Sequence, residues 1–429
     1  MKHVVTEVAL KNGAKGLLIH VPHATVMSFE ISFRAGDYLV DKKLWETPHL
    51  MEHILLGANQ LIPKARMFQA EFEKNGAYCN ASTSAYDITY EAECADFEWD
   101  RIAGLLQTAI TKPLFLPEEF TAEFSNVREE LTGRSNNHFR HLSLAMREAC
   151  GFVALTDQKR VQLMDNVTIA DVKQHYIRTH TTRNMRFVIA GNLPLARQRQ
   201  LSNLLEQTEL PTGEGRLELP TEIPKTLNDP LYIENETVEN IYFNLDTFMN
   251  RRMTDPETDA LQLINSMLTE TLYSRILGTA RERGLVYGMS SGVAQTKQSS
   301  NWWFCAQVMP KNSKPLVDII KAELAKVRAG KLSDQDVAEA KQYALGKYQR
   351  GGQTVSGTAS GYSNRYFFEE VIDDYYKIPA RIEAIQKADI TSIVEALFVG
   401  NIWGFGGLGS CGLEFIRDLN NELVPLWNN

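Results

Sequence analysis

The sequence predicts an α+β protein of two homologous domains, each a mainly antiparallel sheet with helices packed on one face. Three observations lead there. At 429 residues the chain exceeds what one hydrophobic core serves, and two domains of about 200 residues follow. Short runs of period two alternate with longer runs of helical period in both halves. The element order also begins again. Ile31-Ser32-Phe33 ahead of one helix has a counterpart in Ile241-Tyr242-Phe243 ahead of Asp255–Thr269, and Thr168–Val172 before Phe187–Gly191 is echoed by Asp389–Ile393 before Ile402–Gly406. Between the copies Pro211, Gly213, Gly215, Pro220, Pro224 and Pro230 interrupt any periodicity, so the domains are read as 1–207 and 231–429 with 208–230 as linker.

Taken in order, Val4–Leu10, Gly16–Val21 and Met27–Phe33 are short strands punctuated by Asn12-Gly13 and Pro22-His23. A helix starts at Thr47-Pro48, with Thr47 suited to the N-cap and Pro48 to the first turn, and no glycine interrupts it before Gly57. Arg66–Asn75 is a second helix, ended by Gly76 at C′. Ala77–Thr83 and Ile88–Cys94 are strands around Ser84–Asp87. In the latter, Ile88, Tyr90, Ala92 and Cys94 alternate with Thr89, Glu91 and Glu93, the period of a half-buried strand. Trp99–Lys112 is helical, Leu116-Pro117-Glu118 opens a helix running to Gly133, and His138–Gly151 and Ile169–Thr179 follow before the strand Met185–Ala190. His138 and His141 sit at a polar helix start, and Trp302-Trp303 reads as core or interface. Gly404–Gly409 fits G-x-G-x-x-G, but the 20 residues after it leave no room for a βαβ unit, so it ends the last strand.

Composition excludes several classes. Hydrophobic content of 44% and charged content of 23% are those of an ordinary globular protein. A net charge of −8 without a clustered basic stripe argues against nucleic acid as the main partner. Cys79, Cys94, Cys150, Cys305 and Cys411 are scattered and lack Cys-x-x-Cys spacing, so neither a disulfide framework nor a cysteine metal site is indicated. Met1–Leu10 has no apolar signal core and no apolar run reaches 18 residues, which sets the expectation of a cytoplasmic protein with no membrane partner.

The chemistry concentrates in His49-Leu50-Met51-Glu52-His53. On a helix His49 and His53 project from one face one turn apart, so both imidazoles can reach a single metal ion. Glu52 lies beside them without being needed as a ligand. The order His-x-x-Glu-His inverts that of the commoner zinc helices, and a third protein ligand has to come from elsewhere. The helix from Glu119 to Gly133 has an apolar stripe at Phe120, Phe124, Val127 and Leu131. Glu129 falls opposite that stripe, towards water, whereas Glu123 and Glu130, two turns apart, flank it. A buried carboxylate needs a partner or a metal, which makes Glu130 the third ligand and Glu123 its supporting neighbour. Read without the histidines, the same two carboxylates simply flank a core helix in solvent. The second copy has Leu261-Gln262-Leu263-Ile264-Asn265 at the histidine position and cannot hold this metal.

With these residues in place the chain resembles the pitrilysin family of inverted-motif zinc metallopeptidases. The separation of His53 and Glu130 matches that of the family's second histidine and third ligand, and Glu123 falls on a further family glutamate. Gly76–Thr83 resembles its Gly-x-x-x-Asn-Ala-x-Thr strand, followed by Asp87-Ile88-Thr89-Tyr90, and Arg34-Ala35-Gly36 and Asn184-Met185 also fit. Arg281-Glu282-Arg283-Gly284-Leu285-Val286-Tyr287 resembles its Arg…Gly-Leu-x-Tyr segment, one residue short. Either the turn lacks a residue or Arg283 takes the arginine role. The resemblance implies a zinc endopeptidase with Zn2+ on His49, His53 and Glu130 and with Glu52 as general base. It implies a strand edge at Asn80-Ala81 for an extended peptide, and Arg281 and Tyr287 beside the developing oxyanion. It also implies a closed chamber of four such domains that admits short or unfolded peptides. The chain would then dimerise, as a homodimer or as a heterodimer with a metal-free paralogue. A non-catalytic scaffold subunit of such a heterodimer is the alternative.

Overall fold

In β2 (Lys15–His20) and β6 (Met185–Gly191) almost every residue is buried, and the two-residue period divides them between two faces. Leu18, Phe187 and Ile189 enter one apolar cluster, and Leu17, Ile19, Val188 and Ala190 enter another. This sheet is therefore covered on both sides. The computed structural model that shows this describes residues 1–427.

Among the described residues the chain divides into two units. The first comprises Met1–Thr132, Gln158–Pro220 and Gln349–Tyr375, and the second takes Gly133–Asp157, Thr221–Tyr348 and Tyr376 onward. Besides β2 and β6, the first unit holds β1 (Val4–Ala9), β3 (Val26–Phe33), β4 (Tyr78–Thr83) and β5 (Ile88–Ala95). The strand order is β1-β2-β6-β3-β5-β4. Only β2 and β6 run parallel among its described pairs. Phe29, Ile31 and Phe33 of β3 meet Leu50, Met51 and Ile54 of the helix Thr47–Leu55 in the main core, along with Ile102 and Leu106 of Trp99–Thr111 and Val172 of Ile169–Thr179. Each such side chain contributes about 1.5–3 kcal/mol by leaving water. The opposite face is covered by the helix Val355–Glu369 through Val355, Ala359, Tyr362 and Tyr366. β4 is the outer strand, paired on one side by β5.

The second unit repeats the plan with β7 (Leu231–Glu234), β8 (Ile241–Met249), β9 (Met289–Gln295), β10 (Ser300–Val308) and β11 (Ile402–Gly409), ordered β7-β11-β8-β10-β9. β7 and β11 are parallel and the other described pairs antiparallel. Phe243, Leu245, Trp302, Phe304 and Phe405 face the helices Asp255–Asn265, Pro310–Arg328 and Lys387–Val399. On the other face Leu142 and Met146 of the helix His138–Ala149 pack on Phe248 and Leu408. Gly406 permits this approach, because a Cβ there would lie 2.5 Å from Met146 Sδ.

Both units are thus α+β, with mainly antiparallel sheets. The duplication also shows in the caps. Thr168 and Asp171 form a reciprocal capping box at one helix, and Gln386 and Asp389 do so at its counterpart. The units do not follow chain order strictly. His138–Ala149 belongs to the second and Val355–Glu369 to the first, so each sheet receives its second-face helix from the other half of the sequence.

Candidate metal centre

The helix Thr47–Leu55 sorts its side chains by face. Leu50, Met51, Ile54 and Leu55 are buried in the core, while His49 and His53 share the other side with ring centroids 5.0 Å apart and planes at 77°. Thr47 is not the N-cap expected from the sequence. Glu46 occupies that position, in helical backbone geometry and without a capping bond, and Thr47 opens the helix with Pro48 in the first turn. The Glu46 side chain turns instead towards the histidines.

The helix Pro117–Arg134 packs Val127 and Leu131 into the same core and thereby brings two carboxylates to the imidazoles. Glu130 Oε2 lies 3.3 Å from His49 Nε2 and 3.7 Å from His53 Nε2. One atom from each of these three residues lies within 4.8 Å of the other two. Glu129, one position away, is exposed. Behind the rings His49 Nδ1 is 3.1 Å from Glu46 Oε2, and His53 Nδ1 is 2.9 Å from Glu123 Oε2. A carboxylate on each Nδ1 holds a proton there and turns Nε2 towards Glu130.

Burial alone would lower the His49 pKa, but hydrogen bonds to Glu130 and Glu46 outweigh it and raise it to about 9. Glu46, 1% exposed, is pushed up by burial and pulled further down by His49 and by Arg160, whose Nη2 donates to Oε2 at 3.0 Å. The His53 hydrogen bond is the main cause that lowers Glu123. Burial pushes Asp37, 3.9 Å from Arg160, up to about 7. Glu52 is tethered from β4, where Thr83 Oγ1 donates to its Oε2 at 2.8 Å.

The donor set fits zinc. Two imidazole nitrogens and a carboxylate oxygen are a known catalytic zinc set, and ligands each about 2 Å from a tetrahedral ion sit about 3.3 Å apart. The His49–Glu130 separation meets that figure. Both rings also carry the carboxylate partners that metal-bound histidines have.

The remaining sequence-predicted residues are not among the three that form the ligand group. On β4, Asn80 is exposed and donates to Glu91 Oε1 at 3.3 Å, while Ala81 is buried. In the second unit Arg281 Nη1 donates to the Tyr287 carbonyl at 2.6 Å, and its guanidinium lies 4.7 Å from the Tyr287 ring centroid. Gly284, at φ +67°, closes the turn between them, so the six-residue spacing brings the pair together without an added residue. Tyr287 is 86% exposed. At the histidine position of the second unit Leu261 is buried, and Asn265 Oδ1 accepts from Trp302 Nε1 at 2.9 Å and Ser291 Oγ at 2.6 Å, a neutral network in place of a metal. The sequence reading missed Glu46, Arg160 and Thr83. Glu46 sits one helical turn before His49 and carried a signal, whereas Arg160, 114 positions from Glu46, carried none.

Two family models match the chain, insulinase (peptidase family M16) over residues 17–152 and the peptidase M16 inactive domain over 166–343. No curated protein matches it. Among solved structures, a protease from Helicobacter pylori superposes with a TM-score of 0.84 at 16% identity, covering 95% of this chain and all of that one. A peptidase M16 inactive domain from Pseudomonas fluorescens superposes with a TM-score of 0.82 at 14% identity, covering 95% of this chain and 98% of its own. The fold is shared with both. Since the two family models together span most of the sequence, the chain belongs to the peptidase M16 (insulinase) family.

Proposed function

We propose that this chain is a zinc-dependent endopeptidase in which His49, His53 and Glu130 hold the metal and Glu52 is the general base. The observation that carries the reading is the convergence of both Nε2 atoms on Glu130 Oε2, each ring held from behind by its own carboxylate. Zinc supplies Lewis acidity to a water and to the scissile carbonyl when bound. Glu52, steadied by Thr83, takes the proton of the attacking water and delivers it to the leaving amine. Glu123 keeps His53 in the tautomer that coordinates, and Glu46 does so for His49.

The outer strand β4 offers its free edge at Asn80-Ala81 to an extended peptide, so main-chain hydrogen bonds supply affinity with little sequence demand. Arg281 and Tyr287 then act on the carbonyl oxygen as charge develops. The working form is a homodimer with a closed chamber that takes short or unfolded peptides, in the cytoplasm. Among the described residues no helix is long and apolar enough to cross a membrane.

Glu52→Gln tests the reading. The variant keeps one zinc per chain and loses hydrolysis of a quenched peptide by about a hundredfold or more, the range general-base removal costs. Retained hydrolysis removes Glu52 as the base. Zinc binding by the parent without any peptide hydrolysis favours the other reading, a non-catalytic subunit, which the inactive-domain match over 166–343 keeps in view.

A further inference from the structure

On the face of its sheet away from the main core, the second unit carries polar groups that the zinc chemistry does not use. Asn244 and Asp246 are alternate residues of β8, so both project to one face, level with Cys305 and Trp303 of β10. Each is only 6% exposed. With Trp303 and Cys305, and with Phe139 and Arg147 of the helix His138–Ala149, they line a cavity of about 310 Å³. That volume lies at the lower end of the range for small-molecule sites.

Two buried acceptors of this cavity have room for a further donor. Asn244 Oδ1 is buried and has no hydrogen-bond partner among the described residues. The Asp246 carboxylate receives one hydrogen bond, from Asn301 Nδ2 at 2.8 Å, although a carboxylate accommodates several donors. A buried acceptor without a donor is costly, and native structures keep few of them. Two arginines also line the cavity, and the Arg147 charge acts on Asp246. Arg140 forms two bonds to Asp157, at 2.6 and 3.0 Å, and the Arg147 guanidinium lies 4.5 Å from the Phe152 ring centroid. Beside the acceptors lies an aromatic surface. Gly292 of β9 leaves room for the Trp303 indole, since a Cβ there would come within 2.8 Å of the ring.

We propose that this cavity binds a small primary amine, whose ammonium group donates to the Asp246 carboxylate and Asn244 Oδ1 while its carbon body rests on Trp303 and Phe139. Charge-assisted bonds of this kind are the strong ones, and an indole face adds attraction for a cation. Burial pushes the Asp246 carboxyl up to about 7, against the pull of Asn301 and Arg147, and a cation beside it favours the ionised form. Two sources share this chemistry, the α-amino group of an amino acid or short peptide and a plain aliphatic amine. The site stands independently of the zinc reading.

Titration calorimetry on the full chain, with L-leucinamide, pentylamine and sodium acetate as probes, tests the proposal. The amines bind saturably and acetate does not. Tighter leucinamide assigns the α-amino source, tighter pentylamine the aliphatic one. Asp246→Asn weakens amine binding by about tenfold or more, as loss of a bond to a charged group implies. Asn244→Leu, which replaces the unpartnered acceptor by an apolar group, removes binding while leaving the far-UV circular dichroism of the parent. Should Asp246→Asn fail to fold, Asn244→Leu decides alone. Absence of saturable amine binding to the parent, binding of acetate only, or unchanged amine affinity in the folded Asn244→Leu protein overturns the proposal.

Discussion

Replacing Glu46 by Gln separates the two tasks this residue performs. Its carboxylate accepts from His49 Nδ1 at 3.1 Å and from Arg160 Nη2 at 3.0 Å, and it is 1% exposed beside an arginine that is 6% exposed. Losing the charge removes the anion bonded to the buried Arg160, while Asp37 stays at 3.9 Å. Breaking such a buried pair from one side costs about 3–5 kcal/mol, and the surviving amide oxygen argues for the lower end, about 3 kcal/mol. The metal responds separately. A glutamine can still accept from Nδ1 but no longer makes the ring more basic, so zinc affinity falls by about 10- to 100-fold, the usual cost of losing such a partner. Urea denaturation of chelator-treated protein measures the first effect, and competition with a chromophoric zinc chelator measures the second. Adding Arg160→Met removes the buried cation, so the double variant regains much of the stability while zinc binding stays weak. A zinc dissociation constant within about twofold of the parent in Glu46→Gln would refute the claim that Glu46 tunes His49.

Glu123→Gln acts on the half-exposed partner ring, so we expect a smaller loss of zinc affinity, about tenfold, in the same competition assay and little change in urea stability. The pH response follows from His49. Its folded pKa of about 9 lies above the unfolded value of 6.5, so its stabilisation is complete below 6.5 and is lost as pH rises through 9. Chelator-treated protein is therefore more stable in urea at pH 6 than at pH 9.5, by about 2–3 kcal/mol, and His49→Gln flattens that slope. Zinc affinity runs the other way, rising over the same interval because the proton must leave before the metal binds. Gly36→Ala tests the loop ahead of the histidine helix. A Cβ at Gly36 would be driven into the backbone at Ser84 and Asp87, so the midpoint of urea unfolding drops by the equivalent of about 2–3 kcal/mol.

Much of the architecture was legible because it rests on local periodicity. The alternation in Ile88–Cys94, the apolar stripe from Phe120 to Leu131 and the repeated Thr168 and Asp389 segments are all written in nearest-neighbour spacing. Stripe geometry also distinguished Glu130 from Glu129, since the step of about 100° between neighbouring helical residues sends them to different sides. Long-range packing was not legible. Nothing in His138–Ala149 or Val355–Glu369 says which sheet each will cover, because any apolar face fits any apolar sheet until the rest of the chain is placed. Glu46 was read past because Thr47 is the better capping residue by type. The buried Arg160 and the His49 ring outweigh a cap that Thr47 would have supplied. Nothing local marks Asn244 and Asp246 as buried, because their burial depends on the helix laid over that face.

X-ray absorption spectroscopy on the zinc-loaded protein addresses the central claim most directly. The account predicts a first shell of two imidazole nitrogens at about 2.0–2.1 Å with carboxylate and solvent oxygen completing four ligands, and no sulfur. It further predicts that Glu130→Ala changes this shell and lowers zinc occupancy. A sulfur scatterer at about 2.3 Å, or a shell identical in parent and Glu130→Ala, would contradict it.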